Sequence, residues 1–448
     1  MNRILWLFVF YDYFWKNTEL QTIMLKEKII NKLKSQQKIK DFLIYGLGQA
    51  INLIGPLLII PYVVTICGED GLGKSGVGFS FALIAIVLVD YGSYINGTKE
   101  VSINSSDKNI LEEKFTTIYL AKFILLLAVL SLSSILILTI PFFQKDKFQL
   151  LLSLLIVVGQ FINPIWFFQG IQNFKWITII NILSKVIYVS SVFIFIKKPE
   201  DYAYINFFLG AGLIIASSLG FVWIYKKYNF SLGKSSFPNA LKLIKSEFSL
   251  TISQLFFSFY QYAPIMIISY VCGSFIAGQY RVIDQVIMIF RTYFQMFFNF
   301  IYADICLKIY RDVLLGLSSW KKNNGYNYIF ITLILIAFYF NTNIILTFFK
   351  LNTKDILVLE PYFKIGLFIP VLMGISFALK QLIFSFEKNE VYIKVTIFST
   401  ILSLFLQSSL LKIIGLKGAF ISTIIIEFII IISYAIVLKS SFVSYKKK

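Results

Sequence analysis

The sequence predicts an all-α polytopic membrane protein with about twelve transmembrane helices. Three observations support this prediction. Hydrophobic residues make up 58% of the chain and charged residues only 15%, with a mean hydropathy of +0.77. The apolar residues occur in runs of about 20, the length that crosses a bilayer as a helix. The lysines lie mostly in short loops beside these runs, a pattern that orients a chain in a membrane and does not indicate nucleic-acid binding.

The predicted spans begin at residue 41. We place them approximately at 41–66, 76–97, 116–140, 148–171, 177–196, 203–225, 248–272, 279–304, 327–349, 357–386, 392–411 and 418–438. With the N-terminus in the cytoplasm, most lysines and arginines outside the spans fall on the cytoplasmic side, and the opposite orientation reverses that excess. Both termini are therefore expected in the cytoplasm.

The chain is predicted to form two lobes of about six helices each. The predicted segments are a basic cytoplasmic N-terminal segment (1–40), a first lobe (41–225), a basic cytoplasmic linker (226–247), a second lobe (248–440) and a basic cytoplasmic tail (441–448). An even number of spans in each lobe gives both the same orientation, as in a parallel pseudo-repeat. Residues 1–23 either precede a true start at Met24 or form an interfacial anchor.

The eighth span, residues 279–304, carries charge along one side. Its polar positions recur within roughly 120° of one another at 3.6 residues per turn: Arg281, Asp284, Gln285, Met288, Arg291, Thr292, Gln295 and Asn299. Since a charge in lipid costs from about 3 to more than 10 kcal/mol, this stripe must face protein or water. It predicts one wall of a polar cavity, in which Arg281, Arg291 and Gln295 bind substrate. The alternative is a buried structural ion pair between Arg281 and Asp284.

Other predicted spans also contain charged residues. Lone charges near span ends often extend to the membrane interface, and we expect this of Lys122 and Lys185. Lys364 and Lys380 are candidate substrate-binding residues. The candidate ion-coupling residues are carboxylates: Asp90, Asp284, Asp304 and Glu427.

The first span of each predicted lobe is interrupted by polar residues and proline. Paired interruptions of this kind indicate the substrate path of a transporter. They add candidates for substrate binding, namely Gln49, Asn52 and Gln254, and candidate hinges, namely Pro56, Pro61 and Pro264. The alternative is that these residues are ordinary kinks with small residues at packing contacts.

Catalysis is not expected from this chain. The sequence contains 0 histidines, which removes Ser-His-Asp catalysis and imidazole metal ligands, and its 3 cysteines are widely spaced. We therefore expect no enzymatic activity, no cofactor and no metal site. Residues 68–75, GEDGLGKS, match the phosphate-loop pattern. They join two membrane spans instead of a strand and a helix, so we interpret their glycines as a tight interhelical turn.

Several passages are shared with a known family. They are 60–62 (IPY), 90–102 (DYGSYINGTKEVS), 163–186 (NPIWFFQGIQNFKWITIINILSKV), 197–202 (KKPEDY) and 278–287 (GQYRVIDQVI). In these passages the chain resembles the Wzx-type O-antigen flippases of the polysaccharide transporter family, within the MATE-like (MOP) exporter superfamily. The resemblance runs from about residue 41 to the end, and the C-terminal third matches only in pattern.

The resemblance implies a V-shaped bundle of two lobes around a central cavity, without an ATPase. It implies transport of an undecaprenyl-diphosphate-linked oligosaccharide from the cytoplasmic to the periplasmic leaflet of the bacterial inner membrane. The family lines its cavity with cationic residues, which agrees with Arg281 and Arg291. Asp90 matches the family's acidic residue at the end of the second span.

The charge stripe agrees with this task, because an unpaired phosphate is prohibitively costly in a low-dielectric slab and arginine binds phosphate oxygens in a bidentate manner. Expected partners are the lipid-linked oligosaccharide, membrane lipids, H⁺ or Na⁺ as a coupling ion, and polysaccharide polymerase and ligase machinery. Two alternatives stay open. A MATE-like cation-coupled drug antiporter would favour acidic cavity residues, and an integral-membrane polysaccharide polymerase typically needs a large periplasmic loop.

Overall fold

The structure is a computed structural model that describes residue 51 and residues 54–231 and 236–445. Regular secondary structure in these residues is helical throughout, as the sequence predicts. The predicted N-terminal segment, the candidate residues Gln49 and Asn52 and the end of the predicted tail lie outside the described residues.

The first half of the chain packs around two helices, α5 and α8, which contact each other along their length. The helices are α1 (Ile54–Asp90), α2 (Thr98–Ile103), α3 (Lys108–Thr139), α4 (Pro141–Gln144), α5 (Lys147–Ile162), α6 (Ile165–Gly170), α7 (Phe174–Phe195) and α8 (Ile205–Tyr228), with a π-helix at Ser93–Gly97 and a 3-10 helix at Pro199–Tyr204. Helix α3 begins where the Asp107 carboxylate accepts hydrogen bonds from the backbone amides of Asn109 and Ile110.

The second half packs mainly through α9, α10, α14, α15 and α16. Its helices are α9 (Phe237–Cys272), α10 (Ser274–Arg311), α11 (Val313–Phe340), α12 (Thr342–Phe348), α13 (Thr353–Gly366), α14 (Phe368–Ser385), α15 (Asn389–Ile414) and α16 (Leu416–Tyr445). Ser236 caps α9, followed by proline in the first turn, so the helix begins inside the predicted linker. Helices α9 and α10 extend beyond the predicted spans because hydropathy locates only the apolar part of a helix.

Helix α1 folds back on itself at Gly68. That residue has φ = +68°, a left-handed conformation that glycine adopts without steric cost. Pro56 and Phe79 line the same small cavity on either side of the turn, whereas a straight helix would separate them by about 34 Å. The interhelical turn predicted for residues 68–75 is therefore confirmed at its first glycine.

The number of membrane spans agrees with the sequence. In the described residues, 10 helices are long and apolar enough to cross a membrane, and the bent pair α11–α12, with an angle of 78°, brings the number to 11. Counting the two arms of α1 separately adds one more and reaches the predicted number of about twelve. The all-α polytopic membrane fold is confirmed.

The two halves meet closely where the second arm of α1 touches the start of α10, a contact that we call the seam. A Cβ atom on Gly278 would lie 1.8 Å from the carbonyl oxygen of Glu69, and one on Gly73 would lie 1.9 Å from that of Ser274. The Ser274 hydroxyl donates to the Asp70 carboxylate. Glycine at both positions therefore lets the two backbones touch, which no larger residue permits.

A second contact joins the halves at a distance from the seam. The Asn96 side-chain amide donates to the Glu247 carboxylate at 2.5 Å, which links the end of the π-helix to α9. Residue Gly92, just before the π-helix, packs against the same carboxylate. The halves are thus held together at two separate places along the bundle.

Gly278→Ala is expected to destabilise the purified protein by about 1–3 kcal/mol, because the added methyl group forces the seam apart. Thermal denaturation in detergent measures the change. The matched control is Gly325→Ala in α11, where nothing lies within 4 Å of the added carbon, so its midpoint should stay constant or rise slightly. Equal midpoints for Gly278→Ala and wild type would show that the seam is not a close contact.

Candidate functional site

Charged residues that the sequence singles out line several cavities in the described part of the chain, including the following three. The seam cavity, about 60 Å³, lies where Arg281 of α10 meets α1, α7 and α8. The second-half cavity, also about 60 Å³, lies between α9, α10, α14, α15 and α16 around Arg291 and Glu427. The end cavity, about 520 Å³, lies near Asp90 between α3, the π-helix and the start of α9.

Helix α10 places Arg281 and Arg291 in different cavities. About 15 Å of helix separates the two residues, and the cavity that Arg281 lines includes first-half residues whereas that of Arg291 is lined by the second half. The physical reason is that the first turns of α10 form the seam, whereas its later turns pack among the helices of the second half. A polar stripe on one helix face therefore reaches two environments. One continuous polar wall stays a prediction.

Arg281 is buried and only loosely paired. Its Nη1 atom lies 3.6 Å from the Asp284 carboxylate, a distance that gives electrostatic attraction without a hydrogen bond. Its guanidinium carbon lies 5.0 Å from the centre of the Phe79 ring, in the range of a cation–π contact. The predicted ion pair with Asp284 is present, and Arg281 also lines the seam cavity with donors that the pair leaves free.

Lys185 of α7 brings a second cation to the seam cavity. The sequence predicts that this residue extends to the membrane interface, but its stem packs against Gly55 and its ammonium group lies 6.0 Å from the Tyr188 ring centre. Among the described residues no carboxylate lies within 4.0 Å of that ammonium group. One cation from each half of the chain therefore lines the seam cavity.

The second-half cavity collects three predicted residues. Glu427 of α16 is 5% exposed, and its Oε1 atom accepts a hydrogen bond from the Tyr260 hydroxyl at 2.9 Å. Arg291 lies in the same cavity, with Nη1 3.4 Å from the Met288 sulfur. Lys380 of α14 completes the set. Tyr260 carries no sequence signal of its own, because an isolated tyrosine in an aromatic-rich span looks like a lipid-facing residue.

Asp90 lies in a polar network beside the end cavity. It accepts from Lys122 at 3.0 Å and from the Gln160 side-chain amide at 2.9 Å. Lys122 is 2% exposed, so the expectation that it extends to the membrane interface is wrong. The reason is that the Asp90 carboxylate lies next to the Lys122 ammonium group and compensates its charge, so the lysine side chain does not have to extend to water. The charge of this candidate coupling residue is already compensated within the protein.

Apart from Pro56, the remaining candidates do not line these cavities. Lys364 pairs with Glu360 at 2.6 Å, and Asp304 pairs with Lys308 at 2.5 Å, both one helical turn apart and partly exposed. Gln295 donates to Asn299, and Gln254 is half-buried on α9. Among the candidate hinges, Pro56 lines the seam cavity, Pro61 accepts a hydrogen bond from Thr65 and Pro264 lies inside α9.

The segment that matches the phosphate-loop pattern lies in the hairpin of α1. Lys74 pairs with Asp70 at 2.9 Å, and the Ser75 hydroxyl donates to the Leu72 carbonyl. No strand precedes the segment in the described residues, so the strand–loop–helix geometry that cradles phosphates is missing there. In the described part of the chain, no group of three His, Cys, Asp or Glu side chains could hold a metal ion.

Comparison with known proteins identifies the family. Residues 39–302 match the model of the polysaccharide biosynthesis protein family, which covers more than half of the chain. This chain belongs to the polysaccharide biosynthesis protein family. The resemblance inferred from the sequence is confirmed.

Two relatives in this family are each named "Putative O-antigen transporter". The protein from Escherichia coli (strain K12) is 24% identical over 238 residues, and the one from Shigella dysenteriae is 19% identical over 249 residues. The aligned parts cover 53% and 56% of this chain. They span 57% and 62% of those proteins, so the chain matches well under two thirds of each relative.

Solved structures share the fold of this family member. The lipid II flippase MurJ in an inward closed conformation aligns with a TM-score of 0.69 at 14% identity, over 90% of this chain and 87% of that one. An inward-facing multidrug resistance MATE transporter of the MOP superfamily aligns with a TM-score of 0.59 at 13% identity, over 90% and 95%. The predicted MATE-like fold is confirmed. Family and fold together indicate a multi-pass membrane protein.

Asp90→Asn is expected to destabilise the protein by about 3–5 kcal/mol, because it leaves the buried Lys122 ammonium without a counter-charge. Lys122→Met should cost less, since Asp90 keeps its bond to Gln160. The double variant should be more stable than Asp90→Asn alone. Thermal denaturation of the four proteins forms a double-mutant cycle.

Additive effects in that cycle would contradict the ion pair. The control is Lys114→Met, whose pair with Glu100 at 2.9 Å is about 40% exposed on both sides. An exposed pair contributes about 0–1 kcal/mol, so this change should leave the midpoint nearly constant.

Proposed function

We propose that this protein moves an undecaprenyl-diphosphate-linked oligosaccharide from the inner to the outer leaflet of the bacterial cytoplasmic membrane. The observation that carries the proposal is the seam cavity, where Arg281 of the second half and Lys185 of the first half line one site. Membership in a polysaccharide biosynthesis family and the fold shared with a lipid II flippase support it. The product on the outer leaflet would pass to a polysaccharide polymerase or ligase.

The seam cavity has the charge that a diphosphate requires. An unpaired phosphate is very costly in a low-dielectric interior, so it must be neutralised wherever it crosses. Arg281 has guanidinium donors free beyond its 3.6 Å contact with Asp284, and Lys185 offers a compact point charge. Arginine binds phosphate oxygens in a bidentate manner and lysine as a single charge. The lipid tail can stay among membrane lipids while only the head group enters the protein.

The seam cavity of about 60 Å³ must widen to admit the diphosphate, which would then contact both halves at once. Arg281 and Lys185 belong to opposite halves, so an anion between them draws the halves together and its release lets them separate. Rocking of two bundles around a central site is the usual form of alternating access. Pro56 lines the cavity and Pro264 interrupts α9, so both are placed where a helix bend would change the site.

Coupling to an ion gradient is assigned to Glu427, with H⁺ or Na⁺ as the candidate ion. It is buried, and its Oε2 atom has no hydrogen-bond partner among the described residues. The other candidate carboxylates each lie within 4.0 Å of a cation of the protein: Lys122 for Asp90, Arg281 for Asp284 and Lys308 for Asp304. An unbonded buried carboxylate oxygen is the feature that a coupling site requires.

A cation-coupled drug antiporter is the second candidate function. The fold shared with MATE transporters favours it, because that fold serves drug export as well. The seam cavity weighs against it, since two cations repel the cationic molecules that such an antiporter would carry. We therefore place the lipid-linked oligosaccharide first.

Arg281→Met and Lys185→Met are each expected to reduce polysaccharide export by about tenfold or more, because either change removes half of the charge that holds the diphosphate. Surface polysaccharide is measured in a strain whose own copy is deleted, and immunoblots of the membrane fraction check that the variants are present. The matched control is Lys364→Met, which removes a cation that pairs with Glu360 outside these cavities.

Normal export by both seam variants would contradict the assigned site. Loss of export in Lys364→Met at normal membrane levels would contradict it as well, because a lysine outside the seam cavity would then be required. Retained export in the control with loss in both seam variants is the expected pattern.

A further inference from the structure

Lys380 lies in a cage of aromatic rings inside the second half. Its ammonium nitrogen is 5.0–5.8 Å from the centres of five rings: Phe257 of α9, Phe298 of α10, Phe377 and Phe384 of α14, and Tyr392 of α15. Ring faces attract ammonium groups electrostatically at such distances, and cages of this kind recognise ammonium ligands. The cage holds the lysine at one place in the bundle without a direct ion pair.

Glu427 lines the same cavity with one oxygen unsatisfied. Its Oε1 atom accepts from Tyr260 at 2.9 Å, whereas Oε2 has no hydrogen-bond partner among the described residues. Ser376 lines the cavity too, and its hydroxyl lies 3.2 Å from the Met373 carbonyl and within reach of the Glu427 carboxylate. A buried carboxylate in this state needs positive charge nearby to stay ionised.

Positive charge is supplied by the protein itself. Among the described residues that line this cavity, the cations are Arg291 and Lys380. Neither lies within 4.0 Å of the Glu427 carboxylate, so they act across a cavity of about 60 Å³. The low dielectric of the interior makes such an interaction stronger than it is in water. The two positive charges of Arg291 and Lys380 already exceed the single negative charge of Glu427.

We propose that Lys380 is a tethered counter-cation for Glu427, occupying the role that a monovalent metal ion from solution would otherwise fill in this cavity. A further cation beside Glu427 would meet two like charges, which disfavour its binding. The cage also suits an ammonium group better than a hard metal ion, which prefers oxygen ligands. Of the two candidate ions for coupling at Glu427, Na⁺ is thereby excluded.

The inference deepens the proposed function but is tested without it. Its readout is ion binding to the purified full-length protein in detergent, with no substrate present. A failure would change the coupling ion and leave transport of a lipid-linked oligosaccharide standing. Conversely, loss of the transport proposal would leave the ion-binding result unchanged.

The experiment compares thermal midpoints in sodium chloride and in N-methyl-D-glucamine chloride at equal ionic strength, because a quaternary ammonium such as choline could itself bind the aromatic cage. Wild type should show the same midpoint in both salts. Lys380→Met keeps the size of the side chain but removes its charge, so sodium can then approach Glu427 and stabilise the folded protein. Wild type should still show no response at sodium concentrations at least about tenfold above the half-saturating concentration of Lys380→Met. The double variant Lys380→Met/Glu427→Gln should be insensitive to sodium again.

Two further proteins keep the test decisive. Lys380→Arg retains the charge and should remain insensitive to sodium, like wild type. Glu427→Gln in the wild-type background serves if Lys380→Met does not fold. Sodium-dependent stabilisation of wild type that Glu427→Gln abolishes would overturn the inference. A folded Lys380→Met protein that shows no response to sodium would overturn it equally.

Discussion

The constraint on which this structure depends is the cost of an uncompensated charge in a low-dielectric interior. The helix bundle compensates its buried charges in different ways. Asp90 and Lys122 neutralise each other directly at 3.0 Å. Glu427 has charge supplied across a cavity, and Lys380 is held among aromatic rings. Lys185 has neither a carboxylate within 4.0 Å nor an aromatic cage in the described residues, and the proposed function places an anionic ligand beside it.

Packing and charge come together at the seam. Glycines at 73 and 278 bring two backbones into contact, and Arg281 lies one helical turn beyond Gly278 on α10. The guanidinium group is therefore carried into the first half by the same contact that joins the halves. Any motion that opens the seam also moves Arg281 away from Lys185. On the proposed function, this geometry would link anion affinity to the arrangement of the halves, as alternating access requires.

Much of the fold was predictable from the sequence because hydropathy reports helices directly in a membrane protein. The turn at Gly68 followed from glycine chemistry. Helix ends were predicted less well, since α9 and α10 continue into polar sequence. Lys122 and Lys185 were misjudged because one sequence shows a charge but not the carboxylate, ring or cavity opposite it. The separation of Arg281 from Arg291 depends on which turns of α10 form the seam, and that is a tertiary property.

The most direct test of the central claim is the leaflet distribution of lipid-linked repeat units in a strain that lacks this protein. Flipping by the seam site predicts that complete undecaprenyl-linked units accumulate on the cytoplasmic face of the membrane. Single, unpolymerised units on the outer face would contradict it, because translocation would then be intact and a later step blocked.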